Sequence, residues 1–347
     1  MGGVPLSLES EPDSRACVTA VDSKPALRRK VLLSLLGALA VTCILGFALA
    51  GRRRAFVAAL DSVPISLVGL AAALQIVALL ARSEAWLVSV RAAGGSVSRR
   101  LLFQAAGVGY LASIINGSVG MAARIASLRR VAPHSSPRVP ALVAAEVPII
   151  AVEVTLAAVF SFTLVGPLGV AWWIPAIAVA LMAGALLGLR RFSERHRMGL
   201  WVGLAVMRNK ARGRLIAFTL VAVGAQVARN WLMLHAIGEN VSIFDAMALL
   251  IAMFTLGQLP VGPSIGPAAA VLILGTHGVA TSAAAGVLLA VTGTIGSIGY
   301  ATWALTDRLA QSRVRRSRVR QSPEILAFGH NRPALADPAL AQPPAVD

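Results

Sequence analysis

Residues 257–275 read GQLPVGPSIGPAAAVLILG, an apolar stretch interrupted by Pro260, Gly262, Pro263, Gly266 and Pro267. A proline inside a helix removes a backbone donor and clashes with the preceding turn, at about 3 kcal/mol or more, and a glycine adds about 1 kcal/mol. No continuous helix runs through such a stretch. Its meaning depends on whether the surrounding chain lies in water or in a bilayer.

Composition answers that question. The chain is 57% hydrophobic and only 14% charged, with a mean hydropathy of +0.75, whereas soluble domains carry about 25% charged residues. Apolar runs at 31–50, 64–81, 139–165, 172–189, 215–237 and 279–306 each approach or exceed the roughly 20 helical residues that a bilayer core requires. Strand barrels would show ten-residue alternation instead, so the spans are helices. The first run, flanked by "RRK" at 28–30 and "GRRR" at 51–54, is too long for the apolar part of a cleaved leader and is expected to be an uncleaved anchor.

The net charge of +17 sits in short basic blocks beside apolar runs, where it orients a membrane protein and meets anionic headgroups. Aromatics make up 5% of the chain and do not interleave with these blocks, so no nucleic-acid partner is expected. Cys17 and Cys43 are expected to be free thiols, and the five histidines lack ligand spacing, so neither a metal nor a cofactor is predicted.

Basic stretches at 28–30, 82–100 (Arg82, Arg91, Arg99, Arg100), 124–138 (Arg124, Arg129, Arg130, Arg138), 190–214 and 308–320 contrast with loops 166–171 and 238–243, which contain no Lys or Arg. The positive-inside rule puts the first group in the cytoplasm and the second outside, with both termini cytoplasmic at the plasma membrane. Parity holds only if 101–131 and 244–276 dip into the bilayer and return to the side they entered from. Arg52, Arg53 and Arg54 are the one departure, being placed outside. Each hairpin has a break: "SIINGSVGMAAR" with Asn116, Gly117 and Gly120, and the opening stretch with Pro260, Gly262, Pro263 and Gly266. Irregular backbone at membrane depth is tolerated only inside protein or along a cavity. Such breaks at corresponding positions of two halves point to a transporter's central site.

The fold expected is an all-α polytopic membrane protein of about six full spans plus two re-entrant helical hairpins in an inverted repeat. "GGSVSRRLLFQAAGVGYLASIINGSVG" at 94–120 aligns loosely with "GENVSIFDAMALLIAMFTLGQLPVGPSIG" at 238–266, giving halves at about 64–165 and 215–306. These lie within a transmembrane domain at 31–307, between a tail at 1–30 and a basic, then Pro-rich, tail at 308–347, both read as disordered. The linker 190–214 has eight basic residues around "MGLWVGLAVM". It reads as an amphipathic helix on the inner leaflet, or as a plain loop.

These residues resemble the lysylphosphatidylglycerol synthase transmembrane, or flippase-like, family, which includes the membrane half of the multiple peptide resistance factor. "ARSEAW" at 81–86 supplies Arg82 and Trp86, and "NGSVGMAAR" at 116–124 supplies Gly117, Gly120 and Arg124. The family's proline and glutamate in this motif are Asn116 and Met121 here. Leu259, Pro260, Pro263 and Gly266 are similar to a second family motif, whose acidic position falls at about Ala269, and Glu146 resembles half of a Glu-Arg pair whose arginine is replaced here by Val147. The resemblance implies lipid handling, and no aminoacyl-transferase domain is read beside it, so synthase activity is not expected.

Candidate binding residues are Arg82, Asn116, Gly117, Gly120, Arg124, Glu146, Glu153, Arg229, Pro260, Gly262, Pro263 and Gly266. Ionisable groups inside a span are costly and are functional hypotheses by default. Glu146 and Glu153 are seven apart on one helix face, with Pro148 between them to bend it. Counting from 139 and 215, Glu153 and Arg229 reach the same depth, roughly 21 Å, and are expected to pair or to share a polar cavity. Arg124 could hold a lipid phosphate, or be an ordinary basic residue at a hairpin exit. Gln75, Gln104, Gln226, Asn230 and Gln258 read as interhelical hydrogen-bond partners. The function expected is lipid translocation, an anionic or isoprenoid lipid headgroup binding between opposed hairpins. The alternatives are a membrane enzyme on a lipid-linked substrate, for which no acid–base constellation is found, and a non-transporting scaffold.

Overall fold

Pro64 and Gly94 delimit an uninterrupted apolar helix. The computed structural model describes residues 50–114, 117–195, 199–238, 241–256, 265–275 and 278–321, with isolated positions between 36 and 47. After a short helix α1 (Arg53–Asp61), Pro64 is extended and α2 (Ile65–Ala92) follows for 28 residues, about 42 Å at 1.5 Å per residue. Gly94, at φ 85°, adopts the left-handed conformation that ends helices at little cost when no Cβ is present. Arg82 therefore lies within a helix and not in the basic loop expected over 82–100. Nothing between Ala81 and Ala92 breaks the helix, and the charge finds a partner inside the bundle.

Ser98 caps α3 (Arg99–Ser113) by accepting the Leu101 N–H at 3.4 Å. Helix α4 (Gly117–Val131) folds back along it. A Cβ on Gly120 would lie 2.6 Å from Ser113 Cβ and 2.8 Å from the Gly109 carbonyl oxygen, so the two glycines set the contact distance. Helices α5 (Val139–Ala144) and α6 (Val147–Phe160) form one interrupted rod. The break at Ala145–Glu146 comes just before Pro148, which has no N–H to continue the ladder.

Helix α7 (Trp173–Arg195) is largely exposed. The chain then forms a 3-10 helix at Gly199–Met207, α8 (Arg212–Ala236), α9 (Ile243–Leu256), α10 (Ile265–Leu274) and α11 (Val279–Gln321). Ser242 and Asp245 cap α9 reciprocally: the Ser242 N–H donates to Asp245 Oδ2 at 2.9 Å and the Asp245 N–H to Ser242 Oγ at 3.3 Å.

Two further segments differ from the sequence expectation. "MGLWVGLAVM" is not an amphipathic surface helix: Leu204, Ala205 and Val206 are buried, and a Cβ on Gly203 would collide with the backbone of Ala141. Apolar residues dominate the segment, and burial against α5 satisfies them better than an interface would. The basic stretch 308–320 continues α11 instead of beginning a disordered tail, because no Gly or Pro interrupts it and arginine is a good helix former.

Among the described residues, five helices are long and apolar enough to cross a membrane: Ile65–Ala92, Val139–Leu164, Trp173–Arg195, Arg212–Ala236 and Val279–Thr306. They mark a multi-pass membrane protein and match five of the six runs read from sequence. Most of the sixth, 31–50, lies outside the described residues.

The core divides into two clusters. One gathers Trp86, Leu102, Phe103, Tyr110, Leu128, Leu142, Leu215 and Tyr300 around α3 and α4. The other gathers Ala71, Val227, Met233, Leu249, Ile273, Ala285 and Leu289 around α9 and α10. Helices α2, α8 and α11 pass through both: the start of α2, the end of α8 and the early part of α11 meet the second cluster, while their other portions meet the first. The α3–α4 and α9–α10 pairs thus flank opposite ends of three shared helices.

Candidate functional site

Three residues of α2 with polar groups fall on one face. Gln75, Arg82 and Trp86 are seven and four residues apart, spacings that return to the same side of a helix, and Gln75 and Trp86 are buried against other helices.

Near the end of α2, Arg124 of α4 forms a salt bridge with Glu146 at the α5–α6 break. Both are buried, Glu146 to 2% exposure. The Arg124 guanidinium also lies over the Trp86 ring, 4.9 Å from its centroid, a cation–π contact that desolvation strengthens. Gly109 makes room for this arginine, since a Cβ there would lie 2.7 Å from Arg124 Cβ. Arg124 Nε, Glu146 Oε1 and Trp86 Nε1 make no hydrogen bond among the described residues. Three unmatched polar atoms thus occur on Arg124 and the two residues it contacts, Glu146 and Trp86.

One helical turn deeper, Arg82 donates to Glu153 at 2.8 Å. This pair lines a cavity of about 60 Å³ between α2, α6, α8 and α9, together with Gln226, Phe160 and Phe254. The space suits a few waters and not a lipid headgroup. A hydroxyl cluster lies beside the pairs: Ser83 Oγ is 2.9 Å from Tyr300 Oη and 3.2 Å from Tyr110 Oη, and donates to the Leu79 carbonyl at 2.8 Å.

Arg229 of α8 occupies the other cluster. It donates to Gln75 and to Asn230 Oδ1 at 3.4 Å, is 5% exposed, and has no acidic partner among the described residues. Its Nε and the Asn230 Nδ2 make no hydrogen bond among the described residues. Gly293 and Gly296 of α11 accommodate the pair: a Cβ on Gly293 would lie 3.3 Å from Arg229 Nη1, and one on Gly296 2.6 Å from Gln75 Cγ.

The pairing of Glu153 with Arg229 expected from depth is therefore replaced by Glu153–Arg82 and Arg229–Gln75. Equal depth along two helices says nothing about which faces meet. Gln75 does act as an interhelical partner, as its residue type suggested. Arg82, Arg124, Glu146 and Glu153 come together along one side of the bundle, with Gly120 supporting the α3–α4 contact. Gly117 opens α4 with no neighbour that a Cβ would meet, and Gly266 packs 2.7 Å, measured from a built Cβ, from the Gly286 carbonyl oxygen of α11. Asn116, Pro260, Gly262 and Pro263 lie outside the described residues. Ser83, Tyr110 and Tyr300 were not selected from sequence; each is a common core residue, and only the fold brings them together.

Compared with protein-family models, with curated proteins and with solved structures, the chain matches none.

Proposed function

We propose that the protein is a flippase-like membrane transporter that moves a lipid between leaflets, binding its anionic or isoprenoid-linked headgroup between two opposed re-entrant hairpins, α3–α4 and α9–α10. The observation that carries this reading is Arg229, a buried cation without a counter-charge among the described residues. An unpaired charge in an apolar bundle is expensive to keep and is characteristic of a ligand pathway. Gln226, three residues away on α8 and so one turn distant, lines the cavity that holds Arg82 and Glu153.

In this reading Arg124 is neutralised by Glu146 and does not take the phosphate first. Arg229 supplies the free positive charge, and the cavity widens to admit a headgroup. The placement of the two hairpins at opposite ends of α2, α8 and α11 supports an inverted repeat with alternating access. The sequence resemblance to the flippase-like family supports lipid as the cargo. On this reading both termini are cytoplasmic, following the arginine distribution, in the plasma membrane.

A specific observation favours a second reading, a non-transporting scaffold: Arg82, Glu153, Arg124 and Glu146 form two pairs, as purely structural ions would. Proteoliposomes carrying headgroup-labelled lipids separate the possibilities. Movement of label between leaflets supports transport, chemical turnover of the headgroup supports an enzyme, and neither leaves the scaffold. Cysteines at Ser118 and Ser264 test re-entry. Labelling of either as an open loop on the face opposite its hairpin's entry would remove the hairpin model.

A further inference from the structure

A second cavity, of about 620 Å³, opens where the end of α2, the start of α3 and the start of α8 meet. Its polar lining is Arg91, Arg99, Arg214, Glu84 and Asn209, and its apolar surface includes Leu87 and Phe218. Glu84 forms a salt bridge with Arg99, whose guanidinium is also held 5.3 Å from the Phe103 ring centroid. That leaves Arg91 and Arg214, both exposed and neither with an acidic partner among the described residues. Ala211, at the N-terminus of the 25-residue helix α8, also lines the cavity. That helix start has no side-chain cap and no acidic residue in its first turn, so its positive dipole end adds to the two arginines.

We infer that this cavity binds the phosphate of an anionic amphiphile, held between Arg91 and Arg214 with its apolar part against Leu87 and Phe218. The charge balance fits. Three arginines less one glutamate leave a surplus of two, suited to a phosphate mono- or diester, and planar guanidinium groups can each engage two of its oxygens. A zwitterionic headgroup would bring its own cation into the same field. The apolar wall distinguishes the cavity from a simple basic surface, because it offers an acyl or glycerol portion a place out of water. The site is separate from the Arg82–Glu153 cavity and does not rest on transport through it.

The test is native mass spectrometry of the full chain, purified in detergent and offered phosphatidylglycerol, phosphatidylcholine or inorganic phosphate. Phosphatidylglycerol is expected to be retained over phosphatidylcholine. An Arg91→Ala/Arg214→Ala double variant is expected to lose roughly 30-fold in affinity, from about fivefold per cation. Glu84→Gln frees Arg99 and shifts retention the other way, a direction that general misfolding cannot imitate. Displacement by inorganic phosphate supports the same phosphate chemistry with a soluble source, whereas failure to compete supports a lipid occupant. Equal retention by the wild type and both variants, or no preference for phosphatidylglycerol over phosphatidylcholine, overturns the proposal.

Discussion

Arg124 and Glu146 form a buried salt bridge between a hairpin helix and the break in the α5–α6 rod, capped by the face of Trp86. Truncating either partner strands the other charge in an apolar setting, which costs about 3–5 kcal/mol. Arg124→Ala and Glu146→Ala should each lower thermal stability in detergent sharply. An Arg124→Met/Glu146→Leu double variant should recover most of the loss. A double variant as unstable as the two losses added would show that the pair is not a unit.

Coupling should follow the observed partners. A double-mutant cycle on Arg82 and Glu153 should give an interaction energy of about 0.5–3 kcal/mol, the range for residues in contact. The same cycle on Glu153 and Arg229 should be additive to within about 0.5 kcal/mol. The reverse outcome would restore the pairing by depth.

Arg229→Met separates stability from function. Methionine covers similar volume and removes a buried cation, so stability should hold or rise, since replacing buried ionic groups by packed apolar ones is often neutral or stabilising. Lipid movement in proteoliposomes should fall to background. Destabilisation with transport intact would make Arg229 a structural residue that holds Gln75.

Helix contacts set by glycine should resist growth. Gly120→Ala places a methyl 2.6 Å from Ser113 Cβ, and Gly109→Ala 2.7 Å from Arg124 Cβ, so each should cost at least about 1–3 kcal/mol by overpacking. Gly69→Ala, where nothing lies within 4 Å, should instead stabilise α2 by up to about 1 kcal/mol. Melting temperatures of the three variants in one detergent check the contrast.

Hydropathy alone located five spans, because a lipid-facing helix must be apolar along its length. It also suggested a bend in the rod containing Glu146 and Glu153, since Pro148 acts locally. Partners were not legible. Arg82 was a candidate binding residue but was placed in a basic loop, and only the continuation of α2 to Ala92 carries it to Glu153, 71 residues away. Arg124 and Glu146 each stood out as candidates, but nothing in a one-dimensional pattern says that a hairpin helix turns its arginine toward a break 22 residues on. The segment around Leu204 misled in the opposite sense: flanking arginines suggested a surface, while its apolar centre is buried against α5.

The central claim is that a lipid headgroup enters the bundle beside Arg82, Glu153 and Arg229. Photocrosslinking tests it most directly, with a phosphatidylglycerol analogue carrying its photoreactive group on the headgroup, reconstituted with the full chain and mapped by peptide mass spectrometry. Crosslinks should fall on α6, α8 and α9 at cavity residues such as Leu156, Gln226 and Leu250, and should be lost in Arg229→Met. Crosslinks confined to exposed faces such as Leu181 and Leu187 of α7, unchanged by that substitution, would contradict the account.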